Sequence, residues 1–114
     1  MHELSLISAL VEQVEAVALK QSFKSVSNIR LAIGELSGVD PSCFEFCFSE
    51  GTRDSVLFGA KLTMEVVGAE MKCRSCGQVS HSKDRAWLAC SQCQSNDIRI
   101  QKGREFKIID MDVN

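Results

Sequence analysis

Two Cys-x-x-Cys pairs constrain this chain more than any other feature. Cys73 and Cys76 form the first pair, and Cys90 and Cys93 form the second after the intervening residues 77–89. Two thiolates at this spacing can hold one edge of a tetrahedron, and a second pair completes it at Zn–S distances of about 2.3 Å. The gap between the pairs is slightly shorter than is usual for such sites. We therefore predict one zinc ion bound by all four cysteines.

The chemistry of these cysteines has two competing interpretations, a pair of disulfides and a redox-active Cys-x-x-Cys. We expect a cytoplasmic chain, because the first residues lack the basic segment of a signal peptide and no apolar run approaches the ~20 residues of a membrane helix. In that reducing compartment, four closely spaced cysteines favour a metal over disulfides. His81 lies between the pairs and could replace a thiolate, but four cysteines already suffice for one ion.

The role of this zinc follows from its coordination. Four thiolates leave no position open for water, which is typical of structural rather than catalytic zinc. The segment 69–103 has few large apolar residues, so a bound metal would provide stability that its core cannot. The sequence contains no serine–histidine–aspartate set, phosphate-binding loop or dinucleotide-binding fingerprint. We therefore predict structural Zn(II) and no enzymatic activity.

The rest of the chain alternates between helical and extended patterns. Apolar residues at three-and-four spacing predict an amphipathic helix from about Ser5 to Lys20. Asp40, followed by proline, predicts the capped start of a second helix that runs to about Glu50. Alternation of apolar and polar residues predicts three strands, over about 28–34, 62–66 and 105–113. This order of elements predicts an α+β fold with two helices on a three-stranded sheet.

The cysteine segment is predicted to be an insertion in this fold. It would form a zinc-ribbon-like module with four cysteine ligands over residues 69–103, and residues 1–68 plus 104–114 would form the α+β domain. Gly68 and Gly103 flank the module and would act as hinges. Because such hinges could let the last strand pair with the sheet of a second molecule, a monomer and a homodimer are both open.

A second pair of cysteines lies in the predicted second helix. Cys43 and Cys47 are four residues apart, which places both thiols on one helical face where they could hold a metal. Their neighbours Phe44 and Phe48 favour a different interpretation, since free cysteine packs well as a small buried hydrophobic residue. We therefore expect these two cysteines to contribute to the core.

His2 is the other residue with metal-binding potential. Its imidazole, its backbone nitrogen and the Met1 amine can form consecutive chelate rings, and the backbone nitrogen of Glu3 can add a fourth donor. An all-nitrogen, near-planar donor set favours Ni(II) or Cu(II) over Zn(II) or Ca(II). Single histidines near a terminus are also common without any function, so both interpretations stay open from the residues alone.

The cysteine module also allows a different function, that of a zinc ribbon that binds nucleic acid or a transcription partner. It carries six basic residues: Lys72, Arg74, Lys83, Arg85, Arg99 and Lys102. Against this, the whole chain has a formal net charge of -2, and only 6% of its residues are aromatic. Because nucleic-acid binding relies on basic groups at the phosphates and on rings that stack with bases, we expect no nucleic-acid partner.

Three motifs together resemble one family. The N-terminal Met-His-Glu-Leu-Ser (1–5), the internal Ile-Gly-Glu-Leu-Ser (33–37) and the four-cysteine module, in this order, resemble the HypA/HybF family of hydrogenase-maturation nickel metallochaperones. The resemblance covers the chain from end to end. One departure is visible: many members have proline after the first cysteine of a pair, where this chain has Arg74 and Ser91. That difference would loosen the turns while leaving all four ligands in place.

The resemblance implies a nickel-binding α+β domain with an inserted zinc-binding domain. Ni(II) would be cargo, delivered together with the GTPase HypB to the large subunit of NiFe hydrogenase. His2 would be a nickel ligand, assisted by the Met1 amine and the backbone near Glu3. Asp40 matches a position that completes the nickel site in some members. The four cysteines match the structural zinc ligands of the family.

Overall fold

The computed structural model describes residues 3–81, 89–90 and 92–114. Its elements, in chain order, are α1 (Glu3–Gln21), β1 (Val26–Gly34), α2 (Pro41–Gly51), β2 (Lys61–Val67), β3 (Glu70–Cys73), β4 (Val79–His81), β5 (Ile98–Lys102) and β6 (Phe106–Val113). The strands form two three-stranded sheets, with the orders β2-β1-β6 and β4-β3-β5. The predicted α+β class is confirmed, and the second sheet is an addition to it. No helix of the described residues is long and apolar enough to cross a membrane.

The chain divides into two compact units. Unit 1 comprises Met1–Ala32, Val39–Glu65 and Lys107–Asn114, and unit 2 comprises Ile33–Gly38 and Val66–Phe106. Both helices lie in unit 1, whereas β3, β4, β5 and the two Cys-x-x-Cys pairs lie in unit 2. The strands β1, β2 and β6 each have residues in both units, so the boundary falls within strands rather than in loops.

The core of unit 1 follows from the apolar stripe of α1. Its buried residues recur at spacings of three and four, as one face of an amphipathic helix requires: Ile7, Leu10, Val14 and Ala18. The second helix contributes Phe44 and Phe48, whose ring centroids lie 6.2 Å apart, and β1 contributes the alternate residues Ile29 and Leu31. The predicted periodicity of the first helix is therefore confirmed. The predicted alternation of the first strand holds only as far as Leu31, because every residue from Leu31 to Gly34 is buried. The helix begins at Glu3, two residues before its predicted start.

The Ile-Gly-Glu-Leu-Ser segment lies at a crowded point of unit 2. The N–H of Gly34 donates to the carbonyl of Glu105 at 2.6 Å, and the N–H of Leu36 donates to the carbonyl of Gly103 at 2.6 Å. The Glu35 carboxylate accepts a hydrogen bond from the N–H of Ala69 at 3.0 Å. This segment therefore contacts the chain at both ends of the cysteine module.

Gly103, one of the two predicted hinges, lies at a crowded position of unit 2. It is buried, its φ is +116°, and a Cβ at this position would lie 2.8 Å from the Cα of Ala69. Glycine is required here because the backbone conformation and the close approach both exclude a side chain. Gly68, the other predicted hinge, is exposed, and a Cβ there would meet none of the described atoms within 4 Å.

Replacing Gly34 with alanine should lower the free energy of unfolding. The new Cβ would overlap the carbonyl of Gly103 and lie 2.6 Å from the nitrogen of Glu105, and these backbone atoms cannot move aside as a flexible side chain could. Overpacking of this kind costs about 1–3 kcal/mol or more. Urea denaturation measures the loss. Gly68→Ala is the matched control, with an expected change of less than about 0.5 kcal/mol, and equal midpoints for the two variants would contradict the prediction.

Candidate metal centres

The two cysteine pairs lie in loops that share one hydrogen-bond pattern. The N–H of Cys73 donates to the carbonyl of Gln78, and the carbonyl of Cys73 accepts from the N–H of Gly77, both at 2.9 Å. In the second loop the corresponding two bonds of Cys90 measure 2.8 Å and 2.9 Å. Gly77 and its counterpart Gln94 both have positive φ, +82° and +62°. The same tight turn therefore returns the chain after each pair.

Arg74, which stands where many family members have proline, makes a bond that links the first loop to a later segment. Its N–H donates to the carbonyl of Asp97 at 2.8 Å, a bond that proline could not make because it has no N–H. The side chains of these two residues also approach each other, with an N–O distance of 3.8 Å. Ser91, at the equivalent place in the second loop, lies outside the described residues. At Arg74, the absence of proline therefore adds a link between the first loop and the segment before β5.

The four sulfur atoms of Cys73, Cys76, Cys90 and Cys93 lie within 4.8 Å of one another. The Sγ atoms of Cys73 and Cys93 are 3.6 Å apart, as are those of Cys76 and Cys90. A tetrahedron with Zn–S bonds of about 2.3 Å has sulfur–sulfur edges of about 3.8 Å, whereas the sulfur atoms of a disulfide are about 2.05 Å apart. The spacing therefore fits a four-thiolate metal site and not a pair of disulfides.

The ionisation of these thiols is uneven. The N–H of Cys76 lowers the pKa of Cys73 to about 6, and the N–H of Cys93 lowers the pKa of Cys90, in both cases against the effect of burial. The N–H of Gln78 acts in the same direction on Cys76, but burial and the neighbouring thiols outweigh it and raise the pKa of Cys76 to about 12. Four adjacent thiolates need a positive charge among them, and a divalent cation would provide it.

His81 is not a member of this ligand group. It is exposed on β4, opposite Glu70 in the antiparallel pairing of β4 with β3. Within the part of the chain that the structure describes, the ligating atoms close enough to share one ion are those of the four cysteines. A tetrahedral ion with four thiolates has no position left for a histidine.

Two of the residues expected at the nickel site, Met1 and His2, lie outside the described part of the chain. Glu3, the first residue of α1, and Asp40, the residue before α2, come together in unit 1. The Glu3 carboxylate accepts hydrogen bonds from its own N–H, from the thiol of Cys43 at 3.5 Å and from the N–H of Asp40. These donors, its own N–H above all, lower the pKa of Glu3. The same thiol contact raises the pKa of Cys43 to about 11.

Asp40 caps α2, as its position before proline predicted. Its Oδ1 accepts hydrogen bonds from the N–H groups of Ser42 at 3.0 Å and Cys43 at 3.3 Å, and Pro41 occupies the first helical position. A carboxylate offers two oxygens with about four lone-pair sites. The cap therefore leaves capacity for a metal ion.

Cys43 is exposed and Cys47 is half-buried, so the expectation that both cysteines belong to the core is wrong for Cys43. The core positions of α2 are occupied by Phe44 and Phe48, which are 0% and 5% exposed. Sequence reasoning therefore missed the contact of Cys43 with the first residue of α1. The available signal was the cap, because a helix that starts after Asp40 places Cys43 in its first turn.

Substitution can separate two roles of Asp40. Asp40→Ser keeps a side-chain oxygen at the cap, so stability should stay within about 0.5 kcal/mol, whereas Asp40→Ala should lose about 1 kcal/mol. Because the resemblance implies a nickel ligand here, both variants should bind nickel at least about 10-fold more weakly. Thermal denaturation and calorimetric nickel titration measure the two effects. A serine variant with full nickel affinity would leave Asp40 as a cap alone.

Comparison with known proteins confirms the resemblance seen in the motifs. The family model described as "HypA: Hydrogenase/urease nickel incorporation, metallochaperone, hypA" matches residues 1–113. Proteins named hydrogenase maturation factor HypA from Methylocella silvestris and Synechococcus elongatus are 35% and 36% identical over 113 residues, with 99% of each chain covered. The solution structure of the Ni metallochaperone HypA from Helicobacter pylori is similar, with a TM-score of 0.74 and 26% identity over 99% of this chain and 97% of that chain. The chain therefore belongs to the HypA family.

Proposed function

We propose that this chain is a nickel metallochaperone that binds Ni(II) at its N-terminus and delivers it during the maturation of NiFe hydrogenase. The observation that carries the proposal is the match of residues 1–113 to a family model. The description of that model names nickel incorporation for hydrogenase and urease. The similar solved structure from Helicobacter pylori is itself described as a Ni metallochaperone. Binding and transfer of an ion require no covalent chemistry, so we propose no enzymatic activity.

The proposed nickel ligands are His2, the Met1 amine and the backbone nitrogen of Glu3, with Asp40 as a further donor. Nitrogen donors in consecutive chelate rings suit Ni(II). The contacts of the Glu3 carboxylate with Asp40 and Cys43 support this set, because they place two of the proposed residues together at the starts of α1 and α2. A site at a chain terminus can open more easily than one enclosed by packed elements, which suits an ion that must be released.

For the four-cysteine cluster we propose a structural Zn(II) ion. The sulfur spacing fits a tetrahedral ion, and soft thiolate ligands suit zinc. Such an ion would have all four positions filled, so it would stabilise the module rather than exchange with the cargo. The zinc-binding domain would comprise residues 69–103, and the nickel-binding domain would comprise residues 1–68 plus 104–114.

The proposed partners are the GTPase HypB and the large subunit of NiFe hydrogenase, and the proposed location is the cytoplasm. The names of the relatives as hydrogenase maturation factors support this assignment. Acidic neighbours weaken the alternative of a nucleic-acid-binding zinc ribbon at two of its four described basic residues. Arg74 faces Asp97 at 3.8 Å and Lys102 faces Glu70 at 3.6 Å, so acidic neighbours offset both charges. The other two, Lys72 and Arg99, lie opposite each other in the pairing of β3 with β5. Two further basic residues lie outside the described part of the chain, namely Lys83 and Arg85.

The proposal is tested by nickel titration of the zinc-loaded chain that begins at Met1, with zinc counted in the same samples. We expect about one nickel ion per chain while the zinc content stays constant, since the two ions use different ligands. Nickel that enters only as zinc leaves would place the cargo at the cysteines and would contradict the proposal.

A further inference from the structure

The start of α1 is held against the first turn of α2 through a single carboxylate. The Sγ atom of Cys43 lies 3.5 Å from Oε1 of Glu3, and the N–H of Asp40 donates to the same carboxylate. Glu3 is the first residue of α1. These two donors therefore anchor the end of the helix that directly follows Met1 and His2 in the sequence.

The same carboxylate also lies against the main-chain N–H of Glu3 itself. That nitrogen is one of the donors of the proposed nickel chelate. It must lose its proton to bind the metal, and the carboxylate that accepts its N–H hydrogen bond lies in place to receive that proton and pass it to solvent. A group that orients a metal ligand without touching the ion typically changes metal affinity by about 10–100-fold. The Cys43 thiol is a group of this kind, because it contacts the Glu3 carboxylate and is not itself one of the proposed nickel ligands.

Core packing does not explain why a cysteine stands at position 43. Its side chain is exposed, and the apolar positions of α2 toward the core are filled by Phe44 and Phe48. The thiol is a weak hydrogen-bond donor that contacts the Glu3 carboxylate, and the Cys47 thiol also interacts with it. Cys47 provides an internal comparison, because it has the same side chain one turn further along the same helix and is half-buried.

We propose that Cys43 is a positioning residue of the nickel site: its thiol holds the Glu3 carboxylate, and through it the main-chain nitrogen of Glu3, in place for the metal. The inference rests on the proposed function. Pre-organisation of this kind reduces the ordering cost of metal binding. The thiol acts as a hydrogen-bond donor, so its sulfur does not bond to nickel.

Three variants of the zinc-loaded chain test this role by nickel titration against a competing chelator. Cys43→Ala removes the donor and should weaken nickel binding about 10-fold. Cys43→Ser retains a donor for the carboxylate and should stay within about 3-fold of the wild type. Cys47→Ala should leave nickel affinity unchanged. Zinc content and melting temperature should be the same in all of them, which separates positioning from general destabilisation.

Two results would overturn the inference. One is full nickel affinity in Cys43→Ala. The other combines two observations: Cys43→Ala and Cys43→Ser lose nickel affinity equally, and the wild type shows a nickel–thiolate charge-transfer band that both variants lack. The sulfur would then be a nickel ligand. A failure of the proposed function is a different result, namely a zinc-loaded wild type that binds no nickel at all.

Discussion

Cys90→Ser should lose its zinc and unfold the module around the cluster. Structural zinc sites in small peptides bind with an apparent free energy of roughly 10–16 kcal/mol at pH 7, which is comparable to the total stability of a typical domain at about 5–15 kcal/mol. In the described part of the segment 69–103, the buried apolar residues other than the ligands Cys73 and Cys90 are Ala69 and Met71. So small a core cannot replace the contribution of the ion.

The measurement combines zinc counting after dialysis against a chelator with amide hydrogen exchange. The wild type should keep about one zinc per chain, whereas Cys90→Ser should keep less than about one tenth of that. Exchange should become fast in β3 and β5, because the loop that joins them to the cluster is released. Cys47→Ser is the matched control, since it also removes one thiol but leaves the cluster intact. Full zinc content and unchanged protection in Cys90→Ser would contradict a structural role for the ion.

His2→Ala should abolish nickel binding while the zinc content stays the same. The substitution removes the imidazole, the only side-chain nitrogen of the proposed chelate, and leaves the amine, the backbone nitrogens and the Asp40 carboxylate. Loss of an outer-shell partner alone costs about 10–100-fold in metal affinity, so loss of a ligand should cost more than about 100-fold. Competition with a chelator of known nickel affinity measures the change.

The chain offers a matched control for this variant, because it contains only two histidines. His81 is exposed on β4, in unit 2, and does not belong to the cysteine cluster. His81→Ala should therefore bind nickel and zinc as the wild type does. If the two variants lost nickel affinity to the same extent, the cargo site would involve both histidines and the proposed chelate would be wrong.

Local chemistry explains why the cysteine cluster and the start of α2 could be predicted from the sequence. Two residues between paired cysteines allow one short turn, and the observed loops repeat that turn with the same hydrogen bonds. Asp40 and Pro41 determine a helix start through the cap that they form themselves. The buried stripe of α1 follows from the spacing of its apolar residues.

The second sheet could not be predicted, because its strands carry no apolar alternation long enough to detect. β4 has three residues, and Val79 at its start is exposed. Its pairing with β3 places Met71 opposite Ser80, and the pairing of β3 with β5 places Met71 opposite Ile100. These registers depend on how the chain returns from the cysteine loops, which is a property of the tertiary structure.

The contact between the start of α1 and the first turn of α2 was missed for a related reason. Cys43 and Glu3 are 40 residues apart in the chain, and their contact depends on the packing of α1 against α2. The requirement for glycine at position 34 is likewise invisible in a strand pattern, since it comes from the backbone of Gly103 and Glu105. Sequence periodicity reports which face of an element is buried, but it does not report which elements meet at their ends.

The central claim is that nickel is held at the N-terminus by the Met1 amine and His2, and its most direct test is a comparison of two chains. One begins at Met1, and the other carries two added residues, glycine and serine, before Met1. The addition converts the amine into an amide and leaves every side chain in place. We predict that both chains keep about one zinc ion, while the extended chain binds nickel at least about 100-fold more weakly. Equal nickel affinity in the two chains would contradict the claim.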